Sequence, residues 1–330
     1  MAGMHHPGGE GRHRPVVILA FPGVLGLDVV GPLEVFAMAN RFGASPEYAT
    51  SVVSMTGGPI AASSGLAIGT EPAGCVTAPV DTLMVAGGYA MRPAMEDPGL
   101  LPWLARTAGS ARRVTSVCSG AVLLAAAGLL DGRRATTHWS LCETLATHFP
   151  AVEVVTDRIY VRDGNVWTSA GVTAGMDLAL ALVEDDHGPG IALAAARELV
   201  VFLHRPGGFP QISTQLAVRR PARDPVRDVV AFVAEHPAAD LSVPALARHC
   251  AMSVRSFSRT FRRETGTTPA AFVQASRVET ARRLIAASEA TLDDIARSCG
   301  FGSVETMHRA FQRTLGTTPG RLRPQPQGGS

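Results

Sequence analysis

Residues 114–121, Val114-Thr115-Ser116-Val117-Cys118-Ser119-Gly120-Ala121, run from a β-branched apolar stretch through a sharp polar turn into a small-residue helix start. Such a run reads as a buried strand, and the apolar residues after Gly120 read as the helix that follows it. A cysteine on a strand-to-helix turn projects from the carboxyl end of its strand, and the helix N-terminus behind it favours a thiolate. The stretch therefore predicts an α/β domain with an elbow cysteine at one edge of its sheet.

The same alternation extends to both sides. Short apolar runs at 16–20, 48–55, 82–86, 114–117 and 166–168 predict strands, and 32–41, 100–108, 120–128, 141–148, 172–184 and 190–204 predict helices. Strands alternating with helices predict a mainly parallel, flavodoxin-like sheet covered on both faces. Gly87-Gly88 follows one strand, and Asp28 lies just past the first, so both fall at the same sheet edge as Cys118. Each also has a plainer reading: Cys118 as a small buried apolar residue, Asp28 as a helix N-cap, Gly87-Gly88 as a turn.

The alternation stops at Arg205. RPGGFPQISTQLAVRRPARDP, residues 205–225, has four prolines and two adjacent glycines and reads as a linker, set at 206–224. The α/β domain then spans 15–205 and an all-helical domain 225–323. The Gly- and His-rich residues 1–14 and the low-complexity residues 324–330 read as a disordered leader and tail.

With 330 residues, 46% apolar and 18% charged, the chain suits two folded domains and excludes global disorder. The longest nearly unbroken apolar run, 120–130, has 11 residues, whereas a membrane-spanning helix needs roughly 20. Arg12 and Arg14 before the apolar residues 16–21 imitate a secretion signal. Pro22 and Gly23 break that run before any small-residue cleavage site, so a cytoplasmic chain without a membrane partner is expected. Five scattered cysteines, an odd number, argue against a disulfide framework and offer no metal-ligand spacing, and no cofactor is implied. Charge is unevenly spread. Residues 1–221 carry 15 arginines against 18 acidic residues, and residues 222–330 carry 15 against 10, giving −3 and +5. A basic C-terminal third predicts a polyanion partner.

That third contains an internal repeat. Ala247-Arg248 and Cys250 recur as Ala296-Arg297 and Cys299. After one inserted residue, Ser253, Arg259, Phe261, Arg263 and Gly266-Thr267-Thr268-Pro269 recur as Ser303, Arg309, Phe311, Arg313 and Gly316-Thr317-Thr318-Pro319. Each copy predicts a short helix, a turn, and a second helix capped by serine and ended by glycine. Phe257 and Phe261, like Met307 and Phe311, point inward at i, i+4. Arg255, Ser258, Arg259 and Arg262 then point outward, as do Glu305, His308, Arg309 and Gln312. This is helix-turn-helix logic, in which the second helix offers arginine and small polar groups to base edges.

The sequences ALARHCAMSVRSFSRTFRRETGTTP and DIARSCGFGSVETMHRAFQRTLGTTPGRLR resemble the paired helix-turn-helix domain of the AraC/XylS regulators. The resemblance implies that Arg255, Ser258 and Arg259 meet double-stranded DNA from the first recognition helix, and Glu305, His308 and Arg309 from the second. A carboxylate near phosphates is unfavourable unless it accepts from a cytosine amine, so the second helix is expected to position the protein through Arg309 and Arg313.

FPGVLGLDVVGPLEVF, the Ala-Gly-Gly turn, SVCSGAVLLAAAGLLDGRRATTHW and TSAGVTAGMDLAL resemble the PfpI-like members of the class I glutamine amidotransferase-like superfamily. That resemblance makes Cys118 the elbow cysteine, Asp28 its acidic partner, and Gly88 and Ser119 backbone anion-binding positions. With Gly87, and with His138 in THW, they form the expected ligand site. Peptide- and amide-hydrolysing members place histidine directly after the cysteine, where this chain has Ser119. Isonitrile-hydratase-like relatives pair Asp and Cys with a small hydroxyl neighbour. The order of the two domains resembles the GlxA family of transcriptional regulators. It implies a sequence-specific DNA-binding regulator whose N-terminal domain senses a small-molecule effector and supports a homodimer, with peptidase and amidase activity absent. The alternative is a Cys118-dependent enzyme of isonitrile hydratase or amidase type, controlled by the DNA-binding domain. A third reading, a cysteine redox sensor, rests on Cys118 alone.

Overall fold

The computed structural model describes residues 13–76, 79–201, 205–212, 224–288 and 290–322. The leader up to residue 12, the linker from 213 to 223, the tail from 323 and the end of the helix expected at 190–204 lie outside the described residues. The chain divides into two compact units, Met1–Gln211 and Ile212–Ser330.

The first unit is built on β1 (Arg14–Leu19), β2 (Tyr48–Ser54), β3 (Gly58–Ala61), β4 (Ala67–Pro72), β5 (Thr82–Val85), β6 (Arg113–Val117), β7 (Arg134–Ala135), β8 (Glu153–Val154), β9 (Tyr160–Asp163) and β10 (Val166–Ser169). Eight of them form one sheet in the order β3-β4-β2-β1-β5-β6-β10-β9. All neighbours from β4 to β10 run parallel, while the edge strands β3 and β9 run antiparallel to theirs. In β1 the residues alternate between two cores: Val16 and Ile18 face one, Val17 and Leu19 the other. A strand apolar on both sides can sit only in the middle of a covered sheet. Helices α1 (Gly26–Arg41), α2 (Met91–Met95), α3 (Leu100–Ser110), α4 (Gly120–Ala126), α5 (Cys142–His148), α6 (Thr173–His187) and α7 (Pro189–Glu198) supply the cover. Phe36 of α1 and Leu178 of α6 fill the first core; Leu104 of α3 and Leu123 of α4 fill the second. Because β2 lies on one side of β1 and β5 on the other, the strand order reverses between β1 and β5. That reversal opens a crevice outside the strands' carboxyl ends.

Three expectations change. Helix α1 begins at Gly26, and Pro32 is buried inside it. Lacking an N–H, Pro32 removes only the helical bond to the carbonyl four residues earlier, that of Asp28. Strands β3, β4 and β9 carry exposed positions and sit at or next to sheet edges, so no continuous apolar run announces them. The stretch read as linker from residue 206 begins as part of the first unit. The Ile159 N–H donates to the carbonyls of Gly207 and Phe209, both at 3.0 Å, and the Phe209 side chain is buried. A Cβ on residue 207 would lie 2.5 Å from the Tyr160 carbonyl oxygen, so glycine is what allows this approach.

The second unit contains α8 (Asp224–Glu235), α9 (Val243–His249), α10 (Val254–Thr265), α11 (Pro269–Ala287), α12 (Leu292–Ser298) and α13 (Val304–Leu315). It holds two small cores joined by α11, which gives Phe272 and Val273 to one and Val278, Ala281 and Ile285 to the other. The repeat fixes both ends of each recognition helix. Ser253 and Ser303 accept from the N–H groups of Ser256 and Thr306, each at 3.2 Å, and Gly266 and Gly316 close the helices at φ 78° and 64°.

Candidate functional site

The loops after β1, β5, β6 and β10 converge on Cys118. Its φ is +56°, a left-handed conformation rare for a residue with a Cβ. The Cys118 N–H donates to the Ser169 carbonyl at 3.1 Å, and its own carbonyl accepts from Thr137 Oγ1 at 2.8 Å. Glycines leave room for this turn. A Cβ on residue 87 would lie 2.6 Å from Cβ of Cys118, and one on residue 171 would overlap it outright.

Asp28, fully buried in the first turn of α1, ties the loops together. Oδ1 accepts from the Val172 N–H at 2.8 Å, and Oδ2 accepts from the Gly87 N–H at 3.2 Å. The Cys118 thiol donates to the same carboxylate. Val172 has φ +52°, which is strained for a β-branched side chain, so two unusual backbone conformations flank one carboxylate. Burial raises the Asp28 pKa to about 6, against the lowering effect of its three hydrogen bonds. Burial, with the neighbouring Asp28 charge, pushes the Cys118 thiol up to about 12. The thiolate favoured by the sequence is therefore not the resting form; at neutral pH a protonated sulfur faces an ionised carboxylate. The seven-residue helix behind Cys118 is outweighed by desolvation and by like charge.

The backbone donor expected at Gly88 is also engaged. The Gly88 N–H donates to Ser119 Oγ at 2.8 Å, and that hydroxyl donates back to the Gly88 carbonyl at 2.9 Å. The Gly87 N–H donates to Asp28. Two of the N–H groups expected to face an anion are thus spent internally. His138 does come to the site, from the turn before α5, and burial lowers its pKa. Its Nδ1 lies 2.8 Å from Ser140 Oγ and 3.4 Å from the Ser140 backbone nitrogen.

Cys118, Ser119, Gly88 and His138 line a cavity of about 190 Å³ together with Leu25, Tyr89, Met91, Ser140, Leu141 and Val172. A cavity of about 150 Å³ holds benzene, so this one has the room for a small molecule. No arginine lines it, and a carboxylate lies behind the sulfur, which excludes a strongly anionic occupant. The sequence reading missed Leu25, Tyr89 and Val172, although each follows the carboxyl end of a strand flanking or near the switch point.

In the second unit the outward residues stand where the spacing requires. Phe257, Phe261, Met307 and Phe311 are fully buried, while Arg255, Arg259, Arg262, Glu305, Arg309 and Arg313 are exposed and Ser258 and His308 half-buried. Among the described residues, Arg255, Arg259 and Arg262 enter no ion pair. The Glu305 carboxyl is held below the usual range, chiefly by its own backbone N–H at the start of α13 and by Ser303. It caps its helix.

A mainly parallel α/β unit with a pocket at its switch point, followed in the chain by a double helix-turn-helix unit, has the make-up of a DNA-binding regulator. Residues 14–185 match the DJ-1/PfpI family and residues 246–325 a helix-turn-helix domain, and the chain belongs to the DJ-1/PfpI family. It is 31% identical to the HTH-type transcriptional regulator CdhR of Pseudomonas aeruginosa, over 92% of this chain and 90% of that protein. It is 29% identical to the HTH-type transcriptional regulator GlxA of Rhizobium meliloti, over 88% of this chain and 89% of that one. The first unit is also similar to an isonitrile hydratase of Pseudomonas putida, 40% identical over 51% of this chain and 69% of the enzyme. Among the described residues, no helix is long and apolar enough to cross a membrane.

Proposed function

We propose that the first unit is the sensor of this regulator: the Cys118 pocket binds a small uncharged or cationic effector, and the unit supports a homodimer acting in the cytoplasm. The observation that carries this reading is the fate of the elbow's donors. Acyl transfer needs free N–H groups aimed at a developing oxyanion, and here Gly87 and Gly88 spend theirs on Asp28 and Ser119. A protonated thiol and a neutral imidazole suit reversible binding. Cys118→Ala should therefore change the effector's influence on DNA binding while leaving affinity without effector unchanged.

On the DNA side, Arg255, Ser258, Arg259 and Arg262 read base edges, His308 stands beside them on the second helix, and Arg309 and Arg313 hold phosphates. The test uses DNA selected from a random pool by the full chain. Arg259→Ala should lose ~1–3 kcal/mol and relax one base position, whereas Arg313→Ala should weaken all sequences alike and lower the salt slope by about 1. Equal loss on every sequence for both variants would sink the division of roles.

A second reading has one specific observation behind it. With a pKa near 6, Asp28 is a competent proton acceptor beside a sulfur, and the similarity to an isonitrile hydratase points to hydration of an isonitrile to a formamide. Formamide production from an aliphatic isonitrile, abolished by Cys118→Ala, would replace the sensor with this enzyme.

A further inference from the structure

The segment after α7 is fastened at both ends to the elements that close the Cys118 pocket. At its start, Arg205 grips the first turns of α6: its N–H donates to Asp177 Oδ1 at 2.7 Å, Nε to Asp177 Oδ2 at 2.9 Å and Nη2 to Thr173 Oγ1 at 2.9 Å. Thr173 follows Val172, the strained pocket residue bonded to Asp28. At its end, the Gln211 N–H donates to Asp157 Oδ1 at 2.9 Å, and Gln211 Nε2 donates to the Thr137 carbonyl at 2.8 Å. Thr137 precedes His138 and itself bonds the Cys118 carbonyl. The Gln211 amide oxygen is buried without a hydrogen-bond partner among the described residues. Native chains rarely leave such an atom unpaired, and this one burdens the docked arrangement alone.

We propose that residues 205–211 are a strap that couples occupancy of the Cys118 pocket to the chain entering the DNA-binding unit. The proposal rests on the sensor reading above. An occupant that displaces His138 draws Thr137 away from Gln211, and one that moves Val172 disturbs the turn that Arg205 grips. Either gives the occupant different affinities for the docked and released strap, which is what a shift between two states requires. Release adds residues 206–211 to the stretch between the units, about 20 Å more reach when extended.

The experiment fills the pocket by mutation in the full chain. Ser140 is exposed and lines the cavity, so Ser140→Phe supplies a fixed occupant. Ser140→Ala, which gives up the same Oγ contact to His138 Nδ1 at 2.8 Å but leaves the cavity open, is the reference against which the effect of filling is read. If Ser140→Phe does not fold, Leu141→Phe fills the cavity from the next residue. Hydrogen exchange should show the Gln211 and Ile159 amides about tenfold less protected in the filled variant. Affinity for the selected DNA should shift severalfold. In a Gln211→Ala background the same filling should then change affinity by less than about twofold. An equal shift in both backgrounds overturns the strap and leaves the sensor standing. No shift in either background overturns the sensor, and with it the strap as its route.

Discussion

The first unit buries carboxylates at both ends of one sheet, and the two ends are built on opposite terms. At the amino ends of β1, β5 and β6, Asp81 accepts from Arg112 Nε and Nη2 at 2.7 and 2.9 Å. Asp186 accepts from Arg112 at 2.7 Å, from Tyr48 Oη at 2.7 Å and from the buried Arg113. Burial pushes both carboxyls up, but the guanidinium ions outweigh it and hold them below the usual range. At the carboxyl ends, Asp28 has two backbone N–H groups, a thiol and no cation, and burial wins. Charge at the amino ends is neutralised and holds strands together; charge at the carboxyl ends is left unneutralised, beside a cavity and two strained residues. A buried carboxylate without a cation, set beside a cavity at the switch point, has the environment in which binding and catalytic groups are found.

The largest expected effect breaks the amino end. Asp186→Ala leaves the buried Arg113 with only Asp185, at 3.9 Å, as an ion-pair partner, and loss of the main partner of such a buried pair lowers stability by about 3–5 kcal/mol. All three tryptophans, Trp103, Trp139 and Trp167, lie in the first unit, so their fluorescence in urea reports on it directly. A loss under about 1 kcal/mol would mean that the arginine cluster is solvated and the contrast is false. Next in size is the pH dependence of Asp28. Its folded pKa of about 6 exceeds the ordinary 3.8, so between those values the folded chain holds more protons than the unfolded one. The stability it contributes is full below about pH 4 and lost as pH rises through 6, an effect of up to about 3 kcal/mol. Asp28→Asn should therefore gain stability relative to the native chain between pH 4 and pH 7. Asp186→Asn should show no such slope over that range, because its lowered carboxyl contributes fully above the ordinary 3.8 and loses that contribution only as pH falls toward its folded pKa. Parallel pH profiles for the two variants would erase the distinction between the ends.

Much of this was legible in the sequence, for physical reasons that differ by region. Strands β1, β5, β6 and β10 are buried on both faces, and that leaves short runs rich in β-branched and apolar residues that no turn or amphipathic helix imitates. The repeat announced both recognition helices because capping serines, inward aromatics and terminal glycines are all local requirements. Strands β3 and β4 left no such trace, since their neighbours on the open side do not demand apolar residues. Helix α1 was read from Pro32 because proline suits a first helical turn, whereas here it is tolerated inside the helix near its start. At the site, the strand order put Cys118, Gly87, Gly88 and Asp28 at one sheet edge, where the structure has them, whereas Ser119 and His138 were named from family resemblance and nothing in the sequence showed His138 reaching Cys118. Which acceptor each N–H was spent on was not legible, because that depends on loop paths set by Gly87, Gly171 and the strained Val172. The role of Gln211 was equally hidden, since its segment has the composition of a linker.

The smallest effect concerns the Ser119 clamp, the feature that separates this elbow from a working oxyanion site. Ser119 Oγ both accepts from the Gly88 N–H and donates to the Gly88 carbonyl, and the residue is 2% exposed. Ser119→Ala removes two neutral hydrogen bonds on a loop that Asp28 still holds through Gly87. Neutral bonds contribute about 0.5–1.5 kcal/mol each, and the Gly88 N–H released at the cavity wall can turn to water, so the expected loss is about 1–2 kcal/mol. The urea midpoint of the full chain measures it, and exchange of the Gly88 amide should quicken while that of Val172 stays slow. If the loss instead equals that of Asp186→Ala, the carboxyl end is held as tightly as the amino end. The pocket would then be a rigid structural feature rather than the adjustable side of the sheet.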